Sequence, residues 1–248
     1  MRTTLISTLL LALLLGGTAT AQQQGDLTSA YHVRIKNGMG AAATNALKSH
    51  AEWRKAQGDP WTWRIYEVAT GEDMGDLIIR SNGHTWADFD AYDEFLQKGA
   101  LHFNAVMGSV MEGMSNTIER DLPELSNWPE GTVAHLVSVT QFSVRIDGRR
   151  KVQDSITAIN EALRGVNWGR PYSWGTTVNG GRGPSMTVAV AFKNWAEMKP
   201  PEKEMAEVLV ETLGAEKAGQ VWSAFAEGTR GSRNFVVRFR PDLSVNVN

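Results

Sequence analysis

Four short sequence matches recur in the same order in the two halves of the chain. They are Val-Arg-Ile at 33–35 and 144–146, Pro-x-x-Trp at 60–63 and 171–174, Trp-Ala-acid at 86–88 and 195–197, and Arg-x-x-Pro-acid-Leu-Ser at 120–126 and 238–244. The separations are 111, 111, 109 and 118 residues, so the spacing is nearly constant. Units of about 100 residues are domain-sized and far longer than a solenoid repeat. The matches predict a tandem duplication, with unit one at 29–127 and unit two at 133–246.

Each unit has the same predicted order of elements. In the first unit, Tyr31, Val33 and Ile35 alternate with polar residues, which is typical of a strand with one apolar face. An Ala-rich segment that stops at Gly58 predicts a helix. Two strands joined by a turn, a long helical region and a closing strand follow. The order is therefore β-α-β-β-α-β, and it occurs twice.

This order is that of the split-βαβ, or ferredoxin-like, unit, which covers one face of its sheet with helices and leaves the other face bare. A fused second copy would cover that face. The chain resembles the dimeric α/β-barrel superfamily in a single-chain, duplicated form. The resemblance implies an α+β fold of two tandem ferredoxin-like units whose antiparallel sheets pack against each other as a pseudo-dimeric α/β barrel. It covers nearly all of the mature chain, but it rests on element order, since this superfamily has no shared catalytic motif.

The N-terminus has the pattern of a secretory signal. Arg2 precedes an apolar stretch at 5–15 that is too short to span a bilayer, and small residues stand at 19 and 21. We expect residues 1–21 to be removed by cleavage between Ala21 and Gln22; the alternative is a buried N-terminal helix. No later apolar run has membrane-spanning length, which predicts a soluble periplasmic or secreted protein.

Composition excludes several kinds of chemistry. There is no cysteine, which excludes disulfides, thiolate metal sites and cysteine nucleophiles. The formal net charge of −2 gives no basic stripe for nucleic acid. The five histidines show no metal-binding spacing, and no G-x-S-x-G motif occurs. We therefore predict no metal site and no nucleic-acid partner.

The resemblance brings three kinds of activity into consideration. Some members of the superfamily are cofactor-free oxygenases acting on aromatic or polyketide substrates, some bind haem through a helix histidine, and some bind or degrade small hydrophobic molecules. His102 is the candidate haem ligand here, because the bulky Phe103 and Met107 lie near it in sequence. A surface or hydrogen-bonded core histidine is the alternative. No cofactor is predicted, and haem is left open.

The nine tryptophans suggest either core packing or ring stacking with a ligand. Trp63 and Trp174 are expected at matching places on the second strand of each unit. Tyr66, Trp63 and His102 are candidates for a cofactor-free oxygenase pocket.

Two arginines could serve the same pocket. The strand alternation directs Arg34, and by duplication Arg145, toward the sheet face where the units meet. There they would need carboxylate partners or a ligand anion. The alternative is that both lie in water at strand ends.

These observations predict an exported protein of the cell envelope that binds a small apolar or aromatic molecule, or a protein partner. The alternative is an oxygenase-like enzyme, cofactor-free or haem-dependent, with an interior pocket. The oligomeric state is left open. The candidate ligand-binding residues are Trp63, Tyr66, His102, Phe103, Met107, Trp174, Arg34 and Arg145.

Overall fold

The computed structural model describes residues 25–132, 134–166 and 168–247. The predicted signal peptide at 1–21 lies outside the described residues, so export stays a prediction. Among the described helices, none combines the length and the apolar character needed to cross a membrane.

The described residues form eight strands and five α-helices, in the order predicted from the sequence except that the second helical region of the second half is divided into two helices. The elements are β1 Leu27–Ile35, α1 Gly40–Ala56, β2 Arg64–Val68, β3 Leu77–His84, α2 Trp86–Met107, β4 Met111–Asp121, β5 Leu136–Val144, α3 Arg149–Gly165, β6 Tyr172–Asn179, β7 Ser185–Phe192, α4 Met205–Leu213, α5 Ala215–Gly228 and β8 Thr229–Phe239. Helix α1 ends two residues before Gly58, whose positive φ of 70° favours glycine. Helix α2 begins with a capping box in which Thr85 and Asp88 bond reciprocally.

All strand pairs are antiparallel, and they close into one barrel in the order β1-β3-β2-β8-β5-β7-β6-β4. The first half (β1–β4) and the second half (β5–β8) join at the β2–β8 and β4–β6 edges. The two expected sheets are therefore joined edge to edge instead of stacked as separate layers. Closure leaves no free sheet edge, and the bare faces become the barrel interior.

The same hydrogen bonds occur in both halves. Asn116 Nδ2 donates to Ser29 Oγ at 3.1 Å, and Asn234 Nδ2 donates to Ser138 Oγ at 3.3 Å. Helices α1 and α3 both have 17 residues. Equivalent residues of the two halves are thus separated by 109 positions in the segment from β1 to β3. In the closing strands, β4 and β8, the separation is 118 positions. The duplication itself and the unit boundaries at 29–127 and 133–246 stay predictions.

This register corrects the expected match between Trp63 and Trp174. Trp63 forms a bridge with Val245, and the equivalent bridge in the other half joins Tyr172 to Asn127. Trp63 therefore corresponds to Tyr172, and the Pro-x-x-Trp match is wrong by two residues. Both tryptophans nevertheless point under the helices, because a shift of two residues preserves the face of a strand.

The chain segment that follows each closing strand packs onto the other half. After β8, the backbone of Val245 exchanges two hydrogen bonds with Trp63, at 3.0 and 2.9 Å. Leu243 and Val245 are almost fully buried in the core of the first half. The core under helices α1 and α2 is therefore completed by the C-terminal segment of the chain.

Candidate functional site

A cavity of about 80 Å³ lies between the first-half sheet and helices α1 and α2. Its walls are mostly apolar, and they include Leu47, Ile65, Ile79, Leu96, Phe103, Leu243 and Val245. Ala100, Asn104 and Met114 also line it and are exposed, so they mark its mouth. The buried residues Arg54 and His50 form its polar end.

Arg54 forms a buried ion pair with Asp59, whose side chain has no exposed surface. Arg54 Nη1 donates to Asp59 Oδ2 at 2.5 Å and to the Tyr92 hydroxyl at 2.8 Å. Asp59 also accepts from Tyr92 Oη at 2.8 Å, from the Trp61 backbone N at 2.9 Å and from Trp63 Nε1 at 3.1 Å. With four donors, the carboxylate has filled its hydrogen-bonding capacity. This cluster accounts for the second tryptophan of the Pro-x-x-Trp motif, because the Trp63 side chain donates to Asp59, whereas Trp61 donates only through its backbone N–H.

Aromatic rings hold the ion pair in place. Trp61 stacks on Tyr92 with ring centroids 3.8 Å apart, and on His84 at 3.6 Å. The guanidinium carbon of Arg54 lies 4.7 Å from the centre of the Trp63 ring, a cation–π distance. Burial raises the pKa of Tyr92, so its hydroxyl stays protonated and can donate to Asp59.

His50 and His102 extend the cluster toward the surface. Arg54 Nε donates to His50 Nε2 at 2.8 Å, which leaves the hydrogen of the neutral ring on Nδ1. His50 Nδ1 lies 3.0 Å from His102 Nδ1, and this tautomer makes His50 the donor. Burial, the Arg54 cation and His102 lower the pKa of His50 to about 3. His50 is therefore neutral, and both of its nitrogens are engaged.

The two N–H groups of Arg54 Nη2 are free among the described residues. Nε and Nη1 are hydrogen-bonded, whereas Nη2 has no hydrogen-bond partner among the described residues. Nη2 lies beside Gly99 of α2, at a point where both residues line the cavity. Arg54 therefore belongs to the polar end of the cavity, with Nη2 next to Gly99.

Gly99 leaves the room that this donor needs, and this gives a first prediction. A Cβ at Gly99 would lie 3.2 Å from Arg54 Nη2, whereas a Cβ at Gly219 in α5 would meet nothing within 4 Å. Gly219→Ala should raise the free energy of unfolding by up to about 1 kcal/mol through helix propensity. The free energy of unfolding of Gly99→Ala should be lower than that of Gly219→Ala by about 1 kcal/mol or more, because the new Cβ crowds Arg54 Nη2. Urea unfolding of both variants measures the difference, and equal gains would contradict it.

The second half has apolar residues where this cluster stands. By the 109-residue register, His50, Arg54 and Asp59 correspond to Ile159, Leu163 and Trp168. Ile159 and Leu163 are buried in the second-half core just as His50 and Arg54 are buried in the first.

Larger rings also occupy the second-half core. Trp174 replaces Ile65, and Phe142 replaces Val33. The Phe142 ring packs against Trp174 at 6.2 Å and against Phe225 at 5.0 Å. The polar, cavity-lining arrangement therefore belongs to the first half of the chain.

The structure brings three of the sequence-predicted residues to the cavity region. Trp63 and Phe103 line the cavity. Met107 is fully buried in the same core. His102 contacts His50 but lies outside the cavity lining.

The remaining sequence-predicted residues lie elsewhere. Tyr66 belongs to the barrel interior, where it packs near Phe239, because it stands three positions from Trp63 on a strand. Trp174 is buried in the second-half core. Arg34 and Arg145 are exposed, as in the alternative of arginines in water, and Arg145 pairs with Asp147 at 3.2 Å. The proposed trio of Tyr66, Trp63 and His102 does not share one pocket.

Sequence reasoning missed Arg54, Asp59, Tyr92, Gly99 and the role of His50. A signal existed in the spacing of His50 and Arg54, which lie on one face of the helix at i and i+4. Aligning α1 with α3 at 109 residues would have shown this polar pair opposite Ile159 and Leu163.

A second group of titratable side chains lies at one end of the barrel. Candidate ligand atoms of His32, Asp73 and Asp76 are all within 4.8 Å of one another, although no metal site was predicted. His32 Nε2 lies 2.8 Å from Asp76 Oδ2, and Asp73 is paired with Arg233 at 3.0 Å. The protein's own groups thus satisfy these carboxylates.

No protein-family model and no curated protein sequence matches the chain. Similar solved structures include a monooxygenase-like protein from Lactobacillus acidophilus NCFM, with 8% identity, 88% of this chain and 95% of the other covered, and a TM-score of 0.54. An anthrone oxidase-like protein has 10% identity, with 89% and 92% covered and a TM-score of 0.54. A mutant chlorite dismutase from Candidatus Nitrospira defluvii has 10% identity, with 88% and 93% covered and a TM-score of 0.54. At these identities the likeness shows the fold alone: the chain has the fold of the dimeric α/β-barrel (ferredoxin-like) superfamily, and no specific member is identified.

Proposed function

We propose that the first-half cavity binds a small, largely apolar molecule whose polar group faces Arg54. The predicted signal peptide would place this activity in the periplasm or outside the cell. Binding of a small molecule, not of a protein partner, is proposed because the polar groups converge on a cavity between the sheet and the helices.

The comparison of the two halves carries this proposal. A buried ion pair costs desolvation energy, and well-packed apolar residues often replace one without loss of stability. The second half has such residues, Ile159 and Leu163, at the positions of His50 and Arg54. The fold therefore does not require the polar cluster, and ligand recognition is the role that accounts for it.

Haem fits this arrangement poorly. The cavity of about 80 Å³ has room for little more than one end of a single-ring compound, far less than a haem would fill. The predicted axial ligand, His102, lies outside the cavity lining. Its Nδ1 accepts a hydrogen bond from His50, which places the hydrogen of the neutral ring on Nε2, the nitrogen that would have to bind iron.

A cofactor-free oxygenase-like enzyme is the second candidate, favoured by the names of the monooxygenase-like and anthrone oxidase-like neighbours. Such an enzyme would need a group that takes a proton from its substrate. His50 has both nitrogens engaged, and Asp59 already accepts four hydrogen bonds. Neither is a free base, so we place binding before catalysis.

Fragment binding tests the proposal. The protein would be titrated with single-ring compounds while the indole N–H signals of its tryptophans are followed by NMR. We expect binding to shift the signal of Trp63, whose Nε1–H donates to Asp59, and to leave Trp222 of α5 unmoved. Shifts confined to residues outside the cavity, or none with a broad fragment set, would count against the cavity.

A companion measurement separates the candidates. Haem addition should give no stoichiometric Soret band. Oxygen uptake with an anthrone or a quinol would support the enzyme, provided that the variant Arg54→Met/Asp59→Asn abolishes it. Binding without turnover would support a carrier or sensor.

A further inference from the structure

We propose that the ligand is a neutral molecule with a carbonyl-type acceptor oxygen, and not a carboxylate or a hydrocarbon. This inference rests on the proposed function and narrows its ligand class. The feature that carries it is the combination of one free guanidinium donor with a charge that is already compensated.

The free donor is Arg54 Nη2. The other donors of Arg54 are bound to Asp59, Tyr92 and His50, which fix the plane of the guanidinium. Trp63 packs on that plane at 4.7 Å, and the absence of a Cβ at Gly99 leaves Nη2 uncrowded, since a Cβ there would lie 3.2 Å from it. An acceptor oxygen in the cavity would therefore meet a donor that is already oriented, with little entropy lost on binding.

A ligand carboxylate is disfavoured by the charge balance. The Arg54 cation has its counter-ion in Asp59, which is completely buried and can only repel a second anion. His50 supplies no positive charge, because Arg54 Nε donates to one of its nitrogens and the other donates to His102. An anion entering this mainly apolar cavity would lose its hydration without gaining an uncompensated cation.

A pure hydrocarbon is disfavoured for the opposite reason. It would displace water from Nη2 and leave a charged donor dry, which is costly because hydrogen bonds to charged groups are stronger than neutral ones. A ketone, quinone or amide oxygen accepts from Nη2 and adds no net charge. The apolar remainder of such a molecule matches the walls formed by Leu47, Phe103 and Val245.

The size of the cavity limits the ligand. At about 80 Å³ it holds little more than the acceptor end of the molecule. The rest of a single-ring compound would extend toward the mouth, where Ala100, Asn104 and Met114 are exposed.

Three probes of nearly equal shape test the ligand class: acetophenone, benzoate and ethylbenzene. Dissociation constants would be measured from the Trp63 indole signal at pH 7.5. We expect acetophenone to bind about tenfold or more tightly than either of the others, since each tenfold step is about 1.4 kcal/mol and a hydrogen bond to a charged group supplies that much. Benzoate binding as tightly as acetophenone would overturn the charge argument, and ethylbenzene doing so would overturn the acceptor argument.

Two variants check that Arg54 is responsible. Arg54→Met/Asp59→Asn removes both charges together and should abolish the preference for acetophenone over ethylbenzene while ethylbenzene still binds. Arg145→Met, at an exposed arginine outside the cavity lining, should leave the preference unchanged. Asn104→Ala tests the other possible donor at the mouth: if it removes the preference, the donor is Asn104 and the inference is wrong. The ranking in the unaltered protein decides the ligand class even where the double variant folds poorly.

If none of the three probes shifts the Trp63 indole signal but other fragments do, only this inference fails. If no fragment shifts that signal, the proposed function fails as well.

Discussion

Replacing Asp59 by Asn is expected to lower the free energy of unfolding by about 3–5 kcal/mol, because it leaves the Arg54 guanidinium buried without a counter-charge. The substitution keeps the shape of the side chain and one acceptor oxygen, so the loss of charge dominates. Urea denaturation followed by tryptophan fluorescence measures it, with linear extrapolation to water.

Two further variants make this prediction specific. Asp242→Asn removes an exposed carboxylate that also pairs with an arginine, Arg240, and should cost no more than about 1 kcal/mol. Arg54→Met/Asp59→Asn should be more stable than Asp59→Asn alone, since it removes the stranded cation. Equal losses for Asp59→Asn and Asp242→Asn, or no recovery in the double variant, would show that the ion pair is not held in a dry core.

The fold was predictable from the sequence because its signals are local and periodic. The alternation around Val33 and the stripe from Val152 to Leu163 each identify an element and its buried face. Register was not predictable in the same way. Pro-x-x-Trp and Val-Arg-Ile align the halves at 111 residues, whereas the hydrogen bonds align them at 109. An error of two residues keeps every strand side chain on its proper face, so the pattern of apolar residues could not reveal it.

The site was less predictable because its members come from distant parts of the chain. Arg54 lies on α1 and Tyr92 on α2, Asp59 lies in the loop between α1 and β2, and Val245 comes from the far end of the chain. No short motif records such a meeting. One error was avoidable, however: Trp63 and Tyr66 are an odd number of positions apart, and on a strand this places them on opposite faces.

Acidification is expected to destabilise the protein well before its carboxyl groups titrate, because His50 resists protonation in the folded state. Its pKa is lowered from 6.5 to about 3, chiefly by burial and then by the Arg54 cation. In the unfolded chain the ring regains its ordinary pKa and takes up a proton below about pH 6.5. The unfolded state then binds more protons than the native state, so the free energy of unfolding falls as pH decreases.

The pH range and the size of this loss of stability follow from the pKa of His50 in the unfolded state and its lowered pKa in the folded state. His50 contributes its full stabilisation above about pH 6.5 and loses it progressively as pH falls toward 3, by about 1.4 kcal/mol per pH unit. Between pH 6.5 and 4.5 the loss should approach 2–3 kcal/mol. His84, whose pKa burial also lowers, acts in the same direction, whereas Asp88, whose pKa is lowered from 3.8, acts only below this window.

The contribution of His50 is isolated by comparing slopes instead of absolute stabilities. His50→Gln can still accept from Arg54 Nε, but it cannot titrate, so its free energy of unfolding should change less steeply between pH 6.5 and 4.5 than that of the unaltered protein. His135→Gln, at an exposed position, should leave the slope unchanged. Parallel curves for His50→Gln and the unaltered protein would mean that His50 accepts a proton in place, with Arg54 turning away. In that case the cluster would be a mobile, hydrated pocket wall instead of the fixed donor on which recognition of a carbonyl depends.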